Sequence, residues 1–479
     1  MAKLRSIPPE QIIARIRLEN PWWESPTAPV RSAALPKRLY FQPFLQQATQ
    51  KSVHRALVLM GPRRVGKTVM LQQLVAQLLK DGYAHKKVGY VSIDAPIYNN
   101  LGLEQIFALC RQATGDENPA GYTIIFDEVQ YLKEWEVHLK SMTDLFPDTR
   151  FIVSGSAAAA LKLKSNESGA GRFTDFLLPP LTFEEFLHLK GCSSIVSDAD
   201  NAADRQGWDA AMLSLNEQFL QYINFGGYPE VLFNDSIQAD PGRYVRNDII
   251  DKVLLRDLPS LYGIRDVQEL NSLFNVIAYN SGNEVNLEGL SQQSGVDKST
   301  IRKYLEYLEA AFLVRIIYPL GIDARRFLRA SRFKIYLTNP SMRCALFTPI
   351  SFLDEHFGQM VETAIFAQYA HANMTGEPLH YVAWTGGEVD LVTATRPGKP
   401  SYALEIKWSD QYFRNPNKLR SLLRFALENQ LEAVAATTIN EKGMQQVGNT
   451  EIHFQPAALF CYSIGRIGFM LRWLPIQRS

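Results

Sequence analysis

Cysteine is scarce and scattered in this chain, which argues against two kinds of structural framework. The four cysteines are Cys110, Cys192, Cys344 and Cys461, and none belongs to a CxxC pair. The sequence therefore indicates neither a zinc site nor a set of disulfide bonds. A reducing compartment, the cytoplasm, suits this use of cysteine.

Long apolar runs and net charge are also lacking. No stretch of about 18 apolar residues occurs, so we expect no membrane span. The start of the chain, MAKLRSIPPE, contains no apolar segment typical of a signal peptide. The formal net charge is only +1, so no global field attracts the protein to nucleic acid. Any nucleic-acid binding must therefore come from local basic patches.

Hydrophobic residues, in contrast, make up 46% of the 479 residues, which is enough for several buried cores and about three domains. A first helix is predicted over Pro9–Glu19. From about 53 to 180, apolar strands alternate with amphipathic helices, which predicts a parallel sheet. The predicted strands are ALVLM, VGYVSI, TIIF and RFIVS. We expect residues 193–207 to form an exposed loop and residues 208–320 to be mostly helical. From about 355 the pattern predicts helix, strand, strand, helix, strand.

A phosphate-binding motif follows the first of these strands. Gly61, Gly66, Lys67 and Thr68 have the spacing G-x4-G-K-T, between a β-run ending at Met60 and an amphipathic helix. The two glycines let backbone N–H groups surround phosphates, and the helix N-terminus adds favourable charge. Lys67 would reach the β- and γ-phosphates, and Thr68 would bind magnesium. The full set of predicted ATP-binding residues is Gly61, Pro62, Arg63, Arg64, Val65, Gly66, Lys67 and Thr68.

Two acidic residues end a later strand, in TIIFDEVQYL. Asp127 is predicted to hold the magnesium ion, directly or through water, and Glu128 to orient or deprotonate the attacking water. Ser154 ends the next strand, where its hydroxyl would sense the γ-phosphate or the water, or would simply end the strand. Arg172 follows a glycine-rich stretch and would reach a phosphate in its own or a neighbouring subunit. The predicted catalytic set is thus Lys67, Glu128, Ser154 and Arg172.

These motifs resemble a large family of bacterial and archaeal ATPases. Its members pair an AAA-type core, close to the STAND and origin-recognition branches, with a C-terminal domain similar to restriction-endonuclease folds. The match runs from about 50 to 430, and it is carried by GPRRVGKT, IIFDEVQ, VSGSAAAAL, GAGRF, PLTFEEF, FGGYPEVL, RDLPSLYGI, GEVDLV and LEIKWS. The resemblance implies that the protein forms homo-oligomers, because AAA-type cores commonly work as rings.

Together, these features predict an α/β fold with a P-loop AAA-type ATPase core, a winged-helix middle domain and an α/β restriction-endonuclease-like C-terminal domain. The predicted divisions are 1–45 for an N-terminal helix and proline-rich connector, 46–190 for the ATPase core, 191–240 for a lid or linker, 241–335 for the winged-helix-like domain and 336–479 for the C-terminal domain.

The middle of the chain contains a predicted helix-turn-helix followed by a strand, in VNLEGLSQQSGVDKSTIRKYLEYLEAAFLVRII. Gly295 permits the turn, and Asp297 is a suitable N-cap for the second helix. The pattern resembles a winged helix-turn-helix, in which the second helix enters the major groove of DNA. The residues predicted to face DNA are Lys298, Ser299, Arg302 and Lys303. The alternative is a packing module that transmits the nucleotide state.

A basic run with aromatic residues follows in DARRFLRASRFK, residues 323–334. Such a run suits a nucleic-acid backbone with occasional base stacking, or it forms a solvated hairpin. The charged residues of this run are Arg325, Arg326, Arg329, Arg332 and Lys334, and its aromatic residues are Phe327 and Phe333.

Four charged residues near the C-terminus form a candidate nuclease site. Glu362 lies within the apolar stripe of a predicted helix, and Asp390, Glu405 and Lys407 lie on two strands that would converge if paired. This set resembles the PD-(D/E)xK nuclease core. Asp390 and Glu405 would bind magnesium, Lys407 would stabilise the hydroxide or transition state, and Glu362 would complete the metal site. The alternative is an inactive nuclease fold retained for binding.

The predicted function is a magnesium-dependent ATPase whose nucleotide state governs binding or remodelling of DNA, with structured or branched DNA as the substrate class. Metal-dependent cleavage by the C-terminal domain is a further prediction. The competing hypotheses are an ATP-driven switch that binds a protein partner and a protein-remodelling machine.

Overall fold

The computed structural model describes residues 7–50, 54–155, 171–324, 331–371, 378–396 and 399–473. These residues fall into two units, Met1–Pro179 and Pro180–Ser479, which we call the first and the second unit.

The first unit is built on a sheet of five parallel strands, in the order β2-β3-β4-β1-β5. The strands are β1 (Ala56–Met60), β2 (Val88–Ser92), β3 (Thr123–Asp127), β4 (Arg150–Gly155) and β5 (Phe173–Leu177). Every residue of β1 and β3 is buried, as expected for strands covered on both faces. The predicted parallel sheet and its four strands are therefore confirmed, whereas β5 was not predicted.

Among the described residues of the first unit, five α-helices accompany this sheet: α1 (Pro9–Glu19), α2 (Phe41–Thr49), α3 (Lys67–Lys80), α4 (Leu103–Thr114) and α5 (Trp135–Leu145). The predicted first helix has the observed bounds, and it begins with a proline, whose missing N–H costs nothing at that position. In α3 the apolar residues that recur at helical spacing are the buried ones. The α/β fold class is thus confirmed.

The parallel arrangement determines where the predicted ATPase residues lie. Because all five strands point the same way, their carboxyl ends share one edge of the sheet. Gly61 follows β1 directly, Asp127 ends β3, and Ser154 is the next-to-last residue of β4. The fold therefore brings three sequence-distant motifs to the same edge.

The second unit contains a mixed sheet of nine strands, in the order β13-β14-β12-β11-β10-β9-β7-β8-β6. Its strands are β6 (Glu284–Asn286), β7 (Val314–Leu320), β8 (Arg332–Leu337), β9 (Leu379–Trp384), β10 (Gly387–Arg396), β11 (Lys399–Glu405), β12 (Ala433–Thr438), β13 (Gly443–Val447) and β14 (Thr450–Pro456). The hairpin β7–β8 is antiparallel, and the end of β7 pairs in parallel with β9. Strands on both sides of the predicted boundary at 335 thus belong to one sheet.

The described residues of the second unit also form a set of α-helices. They are α6 (Phe183–Leu189), α7 (Ser194–Asp200), α8 (Arg205–Phe225), α9 (Pro229–Leu232), α10 (Asp235–Ala239), α11 (Leu258–Tyr262), α12 (Val267–Tyr279), α13 (Leu287–Ser294), α14 (Lys298–Ala310), α15 (Ser341–Leu346), α16 (Phe357–His371), α17 (Gln411–Arg414), α18 (Arg420–Glu428) and α19 (Ala457–Trp473). Two further segments, Gly242–Asp251 and Val253–Asp257, are π-helical. The prediction that 208–320 is mostly helical is confirmed.

Two predictions for this unit were wrong. The segment 193–207 is not simply an exposed loop, because it contains α7, which buries Val196 and Ala199. From 355 onward the structure has three strands after the helix, β9 to β11, where the sequence predicted two. The segment 193–207 has few apolar residues, so its polar composition dominated the pattern. The missed strand is β9, LHYVAW, which is mostly apolar.

Candidate functional site

The phosphate-binding motif forms the loop between β1 and α3. Gly61 has φ 155°, and a Cβ at this position would lie 2.0 Å from the carbonyl oxygen of Leu178. Gly66, at φ 96°, is the left-handed N-cap of α3. Both positions therefore require glycine, since a side chain would be strained or would collide. Backbone N–H groups at the start of a helix suit an anion, and this loop leads directly into α3.

Lys67 and Thr68 begin α3 beside this loop. The Nζ of Lys67 donates hydrogen bonds to the carbonyl oxygens of Gly61, at 3.0 Å, and Pro62, at 2.8 Å. The Thr68 side chain is near enough to the carboxylate of Asp127 to favour its charged form. The structure thus brings the lysine, the hydroxyl and the acid of the predicted ATP site together.

A buried arginine that the sequence analysis missed holds the loop from behind. Arg38 is 6% exposed, and its guanidinium donates to the carbonyl oxygens of Val65 at 2.7 Å and Pro179 at 3.0 Å. Arg63, on the loop, donates to the hydroxyl of Tyr131 at 3.2 Å. Arg38 precedes α2 by a few residues in a proline-containing stretch, so no local motif marked it.

Asp127 is buried in a polar pocket at the end of β3. Its Oδ2 accepts a hydrogen bond from Tyr90 Oη at 2.8 Å, and its Oδ1 accepts one from Ser154 Oγ. Burial, together with the neighbouring Glu128 carboxylate, raises the pKa of Asp127, although the hydroxyls of Ser154, Thr68 and Tyr90 work in the opposite direction. Tyr90 was missed because an alternating apolar strand gives no hint that one aromatic carries a functional hydroxyl.

Glu128 is fixed by its backbone as well as its side chain. Its φ of 62° is in the left-handed region, which a non-glycine residue rarely adopts and which often marks a functional position. The N–H of Glu128 donates to Ser154 Oγ at 3.0 Å, and the side-chain amide of Gln130 donates to the Glu128 carboxylate. Ser154 therefore contacts both acids, which is more than a strand-ending residue would do.

Arg172 lies away from the loop within its own chain. Its carbonyl accepts from the N–H of Ala56, at the amino end of β1, and its guanidinium pairs with Asp144 at 3.1 Å. The five residues of β1 separate this end from the phosphate loop, a distance of about 16 Å. The prediction that Arg172 reaches a phosphate in its own subunit is therefore wrong, because β5 starts at the opposite edge of the sheet.

The second unit brings three of the four candidate nuclease residues into contact. Leu391 of β10 pairs with Leu404 of β11, which puts Asp390 beside Glu405. The Nζ of Lys407 lies 3.3 Å from Asp390 Oδ2 and 2.8 Å from Glu405 Oε1. The same Asp390 oxygen accepts the backbone N–H of Ile406 at 2.8 Å, while the second oxygen of Glu405, Oε2, is buried without a hydrogen-bond partner.

Crowding of charge perturbs this group. Burial and the Asp390 carboxylate raise the pKa of Glu405 to about 8, against the opposing effect of Lys407. Burial works against the charge on Lys407, but the carboxylates of Asp390 and Glu405 outweigh it and raise the pKa of the ammonium. Lys407 thus stays charged while Glu405 holds its proton more tightly than an exposed glutamate.

Glu362 has different partners. Its Oε1 accepts hydrogen bonds from Lys334 Nζ at 3.1 Å and from Tyr336 Oη at 2.5 Å. Lys334 also pairs with Glu388 at 2.6 Å. Burial raises the pKa of Glu362, partly offset by Lys334, and the Asp390 carboxylate raises it further. Glu362 therefore interacts electrostatically with the other acids but is hydrogen-bonded to a lysine and a tyrosine of β8.

The described part of the chain contains no group of three or more histidine, cysteine, aspartate or glutamate side chains arranged to hold a metal ion. Asp390 and Glu405 offer two carboxylates, and Thr68 and Asp127 offer a hydroxyl and a carboxylate. Both pairs supply the oxygen donors that magnesium prefers.

The predicted helix-turn-helix is present as α13 and α14, and the strand β7 follows. The side chain of Asp297 accepts from the N–H of Ser299 at 2.8 Å, as an N-cap of α14. Arg302 and Lys303 are exposed on α14, and Lys298 is exposed but pairs with Glu288 of α13. These basic side chains share the solvent-facing side of one helix.

The basic run 323–334 is only partly a surface. Arg325, Arg326 and Arg329 lie outside the described residues. Arg332 is exposed and pairs with Glu284 at 3.0 Å. Lys334 and Phe333 are buried, at 3% and 6% exposure, so the prediction that both belong to a nucleic-acid-binding surface was wrong.

Comparisons with known proteins add the family context. Residues 53–187 match the family model of an AAA domain. This segment is similar to AAA-type P-loop domains. Residues 216–352, which include the helix pair and the hairpin β7–β8, match a domain of unknown function (DUF8612). The AAA domain therefore covers β1 to β5 and the loop 61–68.

Distant relatives share more of the chain. An uncharacterized protein of Haemophilus influenzae is 25% identical over 306 residues, 63% of this chain and 71% of the relative. One from Methanocaldococcus jannaschii is 24% identical over 342 residues, 70% and 71% of the two chains. A Walker-type ATPase of Pyrococcus abyssi superposes with a TM-score of 0.38 at 12% identity, over 64% of this chain and 94% of that one. Within the described residues, no helix combines the length and apolar character that crossing a membrane requires.

Proposed function

We propose that the protein is a magnesium-dependent ATPase. The observation that carries the proposal is the loop 61–68, which requires glycine at positions 61 and 66 and stands beside the buried acid Asp127 at the edge of a parallel sheet. The Thr68 hydroxyl favours the charged form of the Asp127 carboxylate, and a shared cation would bring the oxygens of both residues together. The match to an AAA domain over the same residues supports this proposal.

In this proposal each residue has a separate task. The N–H groups of the loop and the Lys67 ammonium bind the β- and γ-phosphates of ATP. Thr68 and Asp127 would hold Mg²⁺, which when bound neutralises charge on the phosphates. Glu128 accepts the proton of the attacking water, and Ser154 keeps Glu128 and Asp127 in position through its two hydrogen bonds.

Two variants separate binding from hydrolysis. We expect Lys67→Ala to lose ATP binding, because it removes the ammonium that faces the phosphates. We expect Glu128→Gln to bind ATP while phosphate release falls by at least about 100-fold. Equilibrium binding of a fluorescent ATP analogue and a phosphate-release assay with magnesium measure the two effects. Unchanged ATP binding by Lys67→Ala would refute the site assignment.

The nucleotide state is proposed to govern binding or remodelling of DNA by the second unit. The exposed basic side chains Arg302 and Lys303, in the second turn of a capped helix that follows a turn, support this part. Structured or branched DNA is the expected substrate class. The proposal includes a homo-oligomer, in which the exposed Arg172 of one subunit would reach the phosphate site of a neighbour.

The test is ATP turnover with single-stranded, duplex and four-way-junction DNA. We expect at least one DNA to stimulate turnover and the double variant Arg302→Ala/Lys303→Ala to lose the stimulation. Arg420→Ala, which removes an exposed arginine elsewhere in the second unit, serves as the control. If no DNA binds at moderate salt or changes the rate, the competing proposal takes over: an ATP-driven switch that binds a protein partner.

Metal-dependent nuclease activity is a second candidate function. The contact of Lys407 with Asp390 and Glu405, together with the unpartnered and buried Glu405 Oε2, supports it. A buried carboxylate oxygen without a donor is costly, and a divalent cation would satisfy it. We expect Glu405→Ala to abolish cutting of DNA with Mg²⁺ or Mn²⁺ and to spare ATP hydrolysis. A wild-type protein that cuts no DNA with either metal would refute this function.

A further inference from the structure

The candidate nuclease site is part of a larger cluster of charges in the second unit. Four carboxylates and two ammonium groups interact through contacts or through the field they share; they are Glu362, Glu388, Asp390, Glu405, Lys334 and Lys407. The two lysines divide the carboxylates into two halves. Lys407 contacts Asp390 and Glu405, and Lys334 contacts Glu362 and Glu388.

Lys334 is held more deeply than its counterpart. Its side chain is 4% exposed, against 28% for Lys407. The Nζ of Lys334 lies 3.1 Å from Glu362 and 2.6 Å from Glu388, and it faces the ring of Tyr381 at 5.4 Å. A buried ammonium without such partners would be unstable, so both carboxylates are committed to it.

The half of the cluster around Lys407 contains a carboxylate oxygen without a hydrogen-bond donor. Glu405 is 8% exposed, and its Oε2 has no hydrogen-bond donor. The Lys407 ammonium contacts both Glu405 Oε1 and Asp390 Oδ2, so the two carboxylates lie side by side. Two neighbouring carboxylates, one of which has an oxygen without a hydrogen-bond donor, supply the hard oxygen atoms that suit a divalent cation.

We infer that the Lys334 ammonium takes the place of a second metal ion in this cluster. The site therefore binds a single divalent metal ion, on Asp390 and Glu405. Without the ammonium, the four carboxylates would bind two. This inference rests on the proposed nuclease function and specifies its metal requirement. In two-metal sites the ions stand about 3.5–4 Å apart and share acidic ligands. Here Glu362 and Glu388, the acids available for a second ion, are neutralised by the ammonium.

The experiment counts Mn²⁺ ions bound by the full-length, nucleotide-free protein, using the electron paramagnetic resonance signal of free Mn²⁺. Mn²⁺ bound elsewhere on the protein should be the same in every variant. The ions of this cluster are therefore counted as the differences between wild type, Glu405→Ala and Lys334→Met. We expect one such ion in the wild type, none in Glu405→Ala and two in Lys334→Met. Lys334→Arg, which keeps the positive charge, is the matched control and should bind one.

A second pair of variants tests the inference even if Lys334→Met does not fold. Glu388→Gln changes a partly exposed residue, and Glu362→Gln changes the other partner of Lys334. Both should still bind one Mn²⁺, with a dissociation constant within about threefold of the wild type. Loss of that ion in either variant would overturn the inference, because these acids would then be metal ligands.

The outcomes also separate this inference from the proposed function. Two ions in the wild type would overturn the role of Lys334 while leaving a metal-dependent nuclease site intact. If neither the wild type nor Glu405→Ala binds an Mn²⁺ ion in this cluster, both the inference and the nuclease function are overturned. One ion in folded Lys334→Met would overturn the inference alone, since removing the ammonium should open the second position.

Discussion

Replacing Gly61 by alanine gives a direct test of the phosphate loop. The new Cβ would lie 2.0 Å from the carbonyl oxygen of Leu178, whereas carbon and oxygen tolerate roughly 3.3 Å. Leu178 cannot easily withdraw, because its N–H donates to Met60 at 2.7 Å. The loop must therefore move by about 1 Å, which costs about 1–3 kcal/mol of stability from overpacking.

The displacement should affect function more than folding. A misplacement of about 1 Å lowers the rate of a catalytic site about 100-fold, so we expect ATP hydrolysis by Gly61→Ala to fall by that factor or more. ATP binding should weaken as well, because the loop N–H groups no longer surround the phosphates. Phosphate release, analogue binding and urea denaturation measure the three effects.

Gly82 provides the matched control. It also has a positive φ, 84°, but a Cβ there would have no atom within 4 Å. Gly82→Ala therefore carries only the left-handed strain, about 1–2 kcal/mol, and its ATP binding should equal that of the wild type. If Gly61→Ala binds and hydrolyses ATP as well as Gly82→Ala does, the loop does not hold the phosphates.

Three further predictions follow from single contacts. Tyr90→Phe removes a hydrogen bond to the Asp127 carboxylate, which is worth about 1.5–3 kcal/mol. The magnesium concentration that gives half-maximal ATPase activity should therefore change. An unchanged concentration would exclude Tyr90 as a positioning residue. Arg38→Met removes the guanidinium that donates to the Val65 carbonyl of the loop, so ATP binding should weaken at least about tenfold in an analogue titration. Wild-type affinity would show that the guanidinium does not fix the loop. Burial raises the pKa of Glu405 to about 8, so the wild type should lose stability as pH rises from about 5 to 8, whereas Glu405→Gln should not. Parallel urea midpoints for the two proteins would contradict the last prediction.

The ATPase side of the molecule was largely predictable from sequence because its signals are local. The motif around Gly61 and Lys67 lies within eight residues, and four strands of the first sheet are apolar runs. The acids of TIIFDE end such a run, so parallel strand order alone brings them to the loop. The strand β5 was missed because only Phe176 in it is fully buried.

The charged cluster of the second unit was harder to predict. Lys334 lies in a basic stretch, and local charge indicated an exposed surface. Its partners are far away in sequence, 28 residues to Glu362 and on another strand for Glu388. A single sequence gives no measure of such distant pairing, which depends on how strands β8 and β10 meet helix α16. The roles of Tyr90 and Arg38 were not predicted for the same reason, because their partners, Asp127 and Val65, become neighbours only on folding.

The shared sheet of the second unit limits how this protein can be divided for experiments. A fragment that starts at residue 336 would discard β7, whose end forms a parallel ladder with β9. The exposed border of β9 would then offer unpaired N–H and C=O groups to other chains, which favours aggregation. Expression of the carboxy-terminal half should therefore start near Pro180, where the chain passes from one unit to the other.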